Sequence, residues 1–204
     1  MKCTICGSKR TAPISYGLPD YTEEVVQRVR NEEVYFAGCL IIDGYPHYHC
    51  FACGRNVATI PVRRMNGKLA DYRLIVSDIR FSYGNDPVQL HIEKKDGTIL
   101  LEVLPAPGSA QPPFQRDMTE TEWDGLLEKL YGQLYIHEWD RVFIRSSVPD
   151  GENWKLAIQV RDGKPDIYIG KGVYPPYWEE LQVLLRPYFA EAGILNTFWP
   201  ERNQ

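Results

Sequence analysis

Apolar and polar residues alternate along much of the chain from residue 72 onward, as they do in strands that bury one face. Two of the alternating stretches are separated by Asp96-Gly97, and a later pair is separated by Asp162-Gly163. An Asp-Gly pair between alternating stretches is typical of a tight hairpin turn. The pattern therefore predicts an antiparallel sheet. Its predicted strands are residues 72–83, 88–92, 98–104, 154–160 and 166–170.

Three other stretches place apolar residues three or four positions apart, which predicts helices that bury one side. The first spans residues 21–32, between short predicted strands at 12–16 and 34–42. The second begins near Thr119, where Glu122 completes a capping-box pattern, and the third opens at Pro175-Pro176. The apolar stripes are Val25, Val26 and Val29; Trp123, Leu126, Leu127 and Leu130; and Trp178, Leu181, Leu184, Leu185 and Tyr188.

These elements predict an α+β protein with two units and a tail. Residues 1–62 are expected to form a zinc ribbon with an inserted strand-helix-strand, and a linker with Asn66-Gly67 follows. Residues 70–191 are expected to form a mainly antiparallel sheet with two helices, followed by a tail at 192–204. The order strand, Asp-Gly, strand, helix occurs twice. This indicates either a ββα pseudo-repeat or a chance match of common turn signals.

The zinc prediction rests on two CxxCG motifs, Cys3 to Gly7 and Cys50 to Gly54. Two residues between cysteines allow one tight turn to present both thiolates to the same ion, and the glycine allows the positive φ that such a turn often needs. A redox dithiol needs only one such pair, so the presence of two pairs favours a metal site. Four cysteines fill a tetrahedral coordination sphere, so we expect one structural Zn²⁺ held by Cys3, Cys6, Cys50 and Cys53.

The remaining cysteine, Cys39, lies in an apolar run, and we expect it to be a core residue and not a ligand. The other apolar runs are also short, far below the length of a membrane span, and no basic start followed by an apolar stretch marks an export signal. The sequence therefore predicts a cytoplasmic protein that does not act at a membrane.

Charge gives an ambiguous indication of nucleic-acid binding. The net charge of the 204 residues is −4, whereas nucleic-acid-binding proteins usually carry a basic excess. A local basic patch is nevertheless possible after the second motif, at Arg55, Arg63, Arg64 and Lys68, of which the three arginines are the candidate nucleic-acid-binding residues. The alternative is that these arginines belong to a solvated linker.

Three sets of residues suggest catalysis only weakly. His47 and His49 beside the second motif invite comparison with HNH-type nucleases, but the residues after Cys53 do not follow that pattern. Asp86, Glu93 and Lys95 form a loose D…ExK arrangement, although charges also belong on the solvent side of a strand. His137 and Glu138 lack any nucleophile, phosphate loop or oxyanion donor nearby in the sequence.

Several segments of the first unit together resemble a group of small bacterial zinc-ribbon proteins of unassigned role. These segments are Cys3 to Ser8, residues 13–19, Ala37-Gly38-Cys39 and Cys50 to Gly54. Those proteins carry a glycine pair before the odd cysteine, where this chain has Ala37-Gly38. Residues 154–185, with Tyr174-Pro175-Pro176-Tyr177-Trp178, are similar to a small bacterial domain of unknown function. Neither resemblance implies an activity.

The sequence favours a zinc-stabilised adaptor that binds a protein partner and performs no catalysis. Aromatic residues that could attract a partner are Tyr174, Tyr177 and Phe198-Trp199, unless they pack against their own domain. A nucleic-acid-binding zinc ribbon is the first alternative. A metal-dependent nuclease or hydrolase is the second, and it would need a further metal site.

Overall fold

A computed structural model describes residues 1–38, 46–57, 63–65, 68–70, 72–144, 151–160 and 163–194. The first unit contains a sheet of four short strands, ordered β2-β1-β3-β4. Helix α1 connects β1 to β2, which is parallel to it, and the other neighbours are antiparallel. The elements are β1 (Thr11–Ser15), α1 (Glu23–Arg30), β2 (Tyr35–Phe36), β3 (Tyr48–Cys50) and β4 (Asn56–Val57).

Helix α1 is shorter than the predicted helix at 21–32 because side-chain capping sets its start. The hydroxyl of Thr22 accepts a hydrogen bond from the amide of Val25 (3.3 Å), as an N-cap does. Acidic residues occupy the first turn and arginines the last, which suits the helix dipole. The helix contains no buried residue. Of the strand predicted at 34–42, Tyr35–Phe36 is a strand, and residues 39–45 lie outside the described residues.

The segment between the two larger sheets differs from the prediction. Where we expected a linker, β5 (Arg63–Met65) and β6 (Lys68–Ala70) pair antiparallel, consistent with the hairpin preference of the Asn-Gly pair in the sequence. Where we expected the next strand to begin, residues Tyr72–Ile75 form one helical turn, α2. Ile75 and Val76 are both buried, and consecutive buried residues do not fit the alternation of a strand.

The large unit is built on a seven-stranded sheet ordered β10-β9-β8-β7-β12-β13-β11. All neighbours are antiparallel except the parallel pair of β11 and β13. The hairpin turn predicted at Asp96-Gly97 is confirmed, and both residues have positive φ. Edge strands β10 and β11 were not predicted. The strands are β7 (Val76–Tyr83), β8 (Val88–Lys95), β9 (Thr98–Leu104), β10 (Phe114–Asp117), β11 (Val142–Ile144), β12 (Asn153–Val160) and β13 (Asp166–Lys171).

Two helices cover one face of this sheet. Helix α3 (Glu120–Leu127) begins with the predicted capping box of Thr119 and Glu122, continues as a π-helix at Glu128–Gln133, and is followed by a 3₁₀ turn at Ile136–Glu138. Helix α4 (Trp178–Glu191) starts two residues after the proline pair. Buried side chains of both helices and of the sheet form one hydrophobic core. The α+β class with a mainly antiparallel sheet is therefore confirmed.

The arrangement of the two hairpins argues against a structural repeat. The first hairpin, β8-β9, lies on one side of β7, and the second, β12-β13, lies on the other. Strands β8 and β12 are both antiparallel to β7 and therefore parallel to each other, with their return strands on opposite sides. A rotation that superposes the first hairpin on the second turns the sheet over and would place the two helices on opposite faces. Because α3 and α4 cover the same face, no rotation superposes both the hairpins and the helices. The recurrence in the sequence reflects common turn signals.

Close packing at Gly170 gives a first test of the large unit. A Cβ at this position would lie 2.2 Å from Trp154 Nε1 and 2.7 Å from the carbonyl of Val173. Replacing Gly170 with alanine is therefore expected to lower the free energy of unfolding by about 1–3 kcal/mol, as overpacking typically does. Urea denaturation measures the change. The control is Gly163→Ala, where the nearest atom is 3.7 Å away; equal losses in both variants would contradict the prediction.

Candidate metal centre

Two backbone turns with the same hydrogen bonds present the cysteines of the first unit. In the first turn, the amide of Gly7 donates to the carbonyl of Cys3 (2.9 Å) and the amide of Cys3 donates to Ser8 (2.8 Å). In the second turn, Gly54 donates to Cys50 (2.8 Å), and Cys50 donates to Arg55 (2.9 Å). The glycines have φ of 73° and 71°. The predicted need for positive φ after each motif is therefore confirmed.

The two turns bring four sulfur atoms together although they are far apart in sequence. The sulfurs of Cys3, Cys6, Cys50 and Cys53 all lie within 4.8 Å of one another. Two pairs across the turns are closer, at 3.8 Å for Cys3 and Cys53 and 3.7 Å for Cys6 and Cys50. Cys3 and Cys50 are buried, whereas Cys6 and Cys53 are exposed. This group of side chains can hold a metal ion.

Burial and backbone amides act in opposite directions on these thiols. Burial raises the pKa of Cys3 to about 12, even though the amides of Cys6 and Ile5 favour its thiolate. Burial also opposes ionisation of Cys50, but amides of Cys53 and Ala52 together with the thiols of Cys53 and Cys6 lower its pKa to about 7. Burial is the main cause that raises the pKa of Cys53. Cys50 is therefore the first of these three thiols to become a thiolate.

This electrostatic arrangement makes metal affinity depend on pH. A metal binds thiolates, so protons must leave the raised-pKa thiols of Cys3 and Cys53 when it binds. Affinity is then highest at alkaline pH and falls as pH drops, more steeply once Cys50 also takes up a proton below about 7. We expect a loss of more than about 10-fold per pH unit between pH 7 and 6. Competition with a metal chelator at several pH values measures this; a flat profile would contradict it.

His49, one of the two histidines that invited comparison with HNH-type nucleases, is part of a packed aromatic cluster. Its ring stacks on Tyr35 with centroids 3.7 Å apart, and Phe51 packs edge-on at 5.0 Å. Its Nδ1 atom lies 2.6 Å from the side-chain oxygen of Asn56. Neither His49 nor the exposed His47 belongs to the group of possible metal ligands. The HNH interpretation therefore has no support in this arrangement.

Of the three arginines proposed for nucleic-acid binding, the structure describes the side chain of one. Arg55 is exposed directly after the second turn. Arg63 and Arg64 lie on β5, and their side chains are outside the described part of the structure. Cys39 also lies outside it. The prediction that Cys39 is a core residue therefore remains a prediction.

The carboxylates of the D…ExK arrangement are too far apart to share a metal. Asp86 precedes β8, whereas Glu93 and Lys95 lie near its end, so at least about 16 Å of extended strand separates Asp86 from Glu93. His137 Nε2 lies 3.7 Å from Glu138 Oε1, and its ring stacks on Tyr131. Within the described ranges, the four cysteines are the only group of three or more potential ligands.

A polar cluster on the helix-free face of the large sheet was not predicted. Asp78 is buried there, accepts a hydrogen bond from Arg80 Nε (3.0 Å) and lies 2.6 Å from His91 Nε2. Asp78 and Arg80 line a pocket of about 520 Å³, and Lys95 and Lys155 line the same pocket. Alternation places such residues on one face, but their contacts depend on strand register, which the sequence pattern does not contain.

The aromatic residues suggested as partner contacts have different environments. Tyr177 is buried, with 7% of its surface exposed, so of the two outcomes that the sequence left open it packs against its own domain. Tyr174 is partly exposed and stacks on Trp178 with centroids 4.7 Å apart. Phe198 and Trp199 lie outside the described residues. The predicted tail also begins differently, because Ile194 is still part of the hydrophobic core.

Comparison with known proteins adds no assignment. No protein-family model, curated protein or solved structure matches this chain. Among the described helices, none is both long enough and apolar enough to cross a membrane.

Proposed function

We propose that the protein is a zinc-stabilised binding protein that acts through protein–protein contacts and performs no catalysis. The observation that carries this proposal is the convergence of four cysteine sulfurs. A metal held by four thiolates has no open position for water or substrate, which is typical of structural sites. The paired turns also support a zinc-ribbon fold for the first unit. Free thiolates persist in a reducing compartment, so the proposal includes a cytoplasmic location.

The sulfur separations support zinc as the metal. A tetrahedral site with Zn–S bonds of about 2.3 Å has sulfur–sulfur edges of about 3.8 Å. The two closest pairs across the turns, at 3.7 and 3.8 Å, agree with this edge. Iron also accepts four thiolates, so elemental analysis of the purified full-length chain decides. We expect one zinc per chain. Stoichiometric iron, or a folded first unit without metal, would contradict the proposal.

Exposed apolar residues near α1 support a role in protein contacts. Leu18 and Tyr21 precede the helix and are 82% and 77% exposed, and Val29 on the helix is 42% exposed. Exposed large apolar side chains often mark an interaction site. In this small unit they accompany a helix that contains no buried residue. We therefore expect a protein partner to bind the first unit, at the surface near α1.

This role is tested in two steps. Affinity capture identifies partners, and the binding affinity of each purified partner is then measured. Tyr21→Asp is expected to weaken binding at least 10-fold, because it places a charge in an apolar contact. Val183→Asp is the matched control, since Val183 is 71% exposed but lies on α4. Zinc content must stay at one per chain in both variants. Equal affinity of the wild type and Tyr21→Asp for every captured partner would argue against this surface.

The same measurements distinguish nucleic-acid binding, which the exposed Arg55 beside the second turn favours. Phosphate contacts release counterions, so affinity for a mixed DNA or RNA pool would fall steeply with salt. Alanine replacement of Arg55, Arg63 and Arg64 would then reduce both the affinity and the salt slope. A protein partner gives capture that nuclease treatment leaves unchanged. Capture that disappears with nuclease and with the arginine variant would replace our proposal by this alternative.

A further inference from the structure

Residues next to the metal ligands contact the large unit. Lys2 directly precedes Cys3, and its carbonyl accepts a hydrogen bond from the hydroxyl of Tyr177 (2.5 Å). The Lys2 ammonium lies 2.6 Å from Glu180 Oε1 and 4.4 Å from the centre of the Tyr177 ring. The Glu180 carboxylate and the face of the Tyr177 ring therefore both bind the Lys2 ammonium.

The other end of the first turn meets the same corner of the large unit. Gly7 directly follows Cys6, and a Cβ at its position would lie 3.6 Å from Pro176 Cβ. The contact surface thus consists of Lys2 and Gly7 on one side and Pro176, Tyr177 and Glu180 on the other. We call this the docking contact.

The docking contact covers the start of α4. Tyr177 is buried although its hydroxyl is polar, so it needs the Lys2 carbonyl as an acceptor. Its ring packs edge-on against Tyr135, with centroids 5.9 Å apart. The following residue, Trp178, is buried against Trp154 with ring centroids 5.0 Å apart. Displacement of Lys2 would therefore expose a polar group and loosen aromatic packing at the edge of the main core.

The position of the Lys2 carbonyl depends on the first turn and, through it, on the metal. The backbone bonds of Cys3 with Gly7 and Ser8 shape the turn, but they do not attach it to the second turn. A metal bound to all four sulfurs would join Cys3 and Cys6 to Cys50 and Cys53. Without it, within the described residues, the first turn stays joined to the sheet that contains Cys50 by the hydrogen bond from Thr11 Oγ1 to the Met1 carbonyl (2.5 Å) and by the apolar contacts of Cys3 with Cys50 and Val57. We therefore expect the turn to loosen when the metal is lost.

We propose that metal binding at the four cysteines controls the docking contact, so that the corner at Pro176 and Tyr177 is covered in the metal-bound protein and exposed after metal loss. This regulation rests on the proposed function, because it requires the metal. Coupling between two sites is reciprocal. Docking must therefore strengthen metal binding by the same factor by which the metal strengthens docking, and Tyr177 contributes to this factor although it is not a ligand.

The first experiment measures the affinity of Zn²⁺ for the full-length chain by competition with a chromophoric chelator. Tyr177→Phe keeps the ring and removes the hydrogen bond to Lys2, and we expect its affinity to fall about 3- to 10-fold. Tyr174→Phe is the matched control, because it removes a hydroxyl from the same corner and has no hydrogen bond to Lys2. Equal affinity in Tyr177→Phe and wild type would overturn the proposal.

The second experiment follows amide hydrogen exchange before and after removal of the metal. We expect exchange to accelerate at residues 2–8 and also at Trp178 and Leu181, whose amides bond to Pro175 and Tyr177 at the start of α4. Acceleration confined to residues 2–8 would overturn the coupling while leaving metal binding intact. A wild-type chain that binds no zinc would instead refute the proposed function, so the two failures are distinguishable.

Discussion

Replacing Cys50 with serine is expected to abolish stoichiometric metal binding and to unfold the first unit while the seven-stranded sheet stays folded. Cys50 is buried, and its sulfur lies 3.7 Å from that of Cys6. Among the described residues, the hydrophobic cluster around the cysteines has three buried members, Cys3, Cys50 and Val57. Zinc binding contributes about 10–16 kcal/mol in comparable small units. Such a small core cannot replace that contribution.

Metal analysis and amide exchange test the Cys50→Ser variant. We expect bound zinc to fall from one per chain to below about one tenth, since zinc-finger-type sites need their full ligand set. Protection of residues 11–15 and 48–57 should be lost. Tryptophan fluorescence should still report a folded large unit, with a change no larger than loss of the docking contact beside Trp178 causes, because all five tryptophans follow residue 120. Cys39→Ala, which removes the cysteine outside both motifs and adds no polar group, is the matched control. A protected first unit in metal-free Cys50→Ser would show that the metal is dispensable for folding.

Replacing Phe81 with alanine is expected to destabilise the large unit by about 3–5 kcal/mol. Phe81 lies on the central strand β7 and is 1% exposed. Its ring packs against Trp178 and Phe189 of α4, with centroids 6.1 and 6.4 Å apart. The substitution leaves a cavity between the sheet and the helix. The destabilisation is the sum of the transfer free energy of the removed ring and the packing lost around the cavity.

Urea denaturation followed by tryptophan fluorescence reports on this unit. The Phe81→Ala midpoint should fall, with zinc content unchanged in the absence of urea. Val183→Ala removes apolar atoms from an exposed position of α4 and should change the unfolding free energy by less than about 0.5 kcal/mol. If Phe81→Ala cost no more than this control, the core would not lie between β7 and α4 as described.

Local features of the fold were predictable because their causes lie within a few residues. Thr119 and Glu122 are three positions apart and satisfy each other's amides across one helical turn. Asp96-Gly97 forms its hairpin turn because both residues tolerate positive φ. The same holds for Gly7 and Gly54 after the cysteine pairs.

The sequence pattern was insufficient where a longer-range contact decides the outcome. It left open whether Tyr177 contacts a partner or its own domain, because the acceptor of its hydroxyl is Lys2, 175 positions away in the chain. Edge strands β10 and β11 are short, and their pairing with β9 and β13 determines their conformation. The cluster of Asp78, Arg80 and His91 likewise depends on the register of β7 and β8.

Periodicity, turn chemistry and ligand spacing are local properties, and they were enough to predict the α+β class, the main strands and helices, and the four cysteines that can bind one metal. The order of the strands, the common face covered by both helices, and the contact of the first cysteine turn with the start of α4 emerged only from the three-dimensional arrangement. Those features depend on which distant surfaces bury each other, and the free energy of that burial belongs to pairs of segments and not to either segment alone.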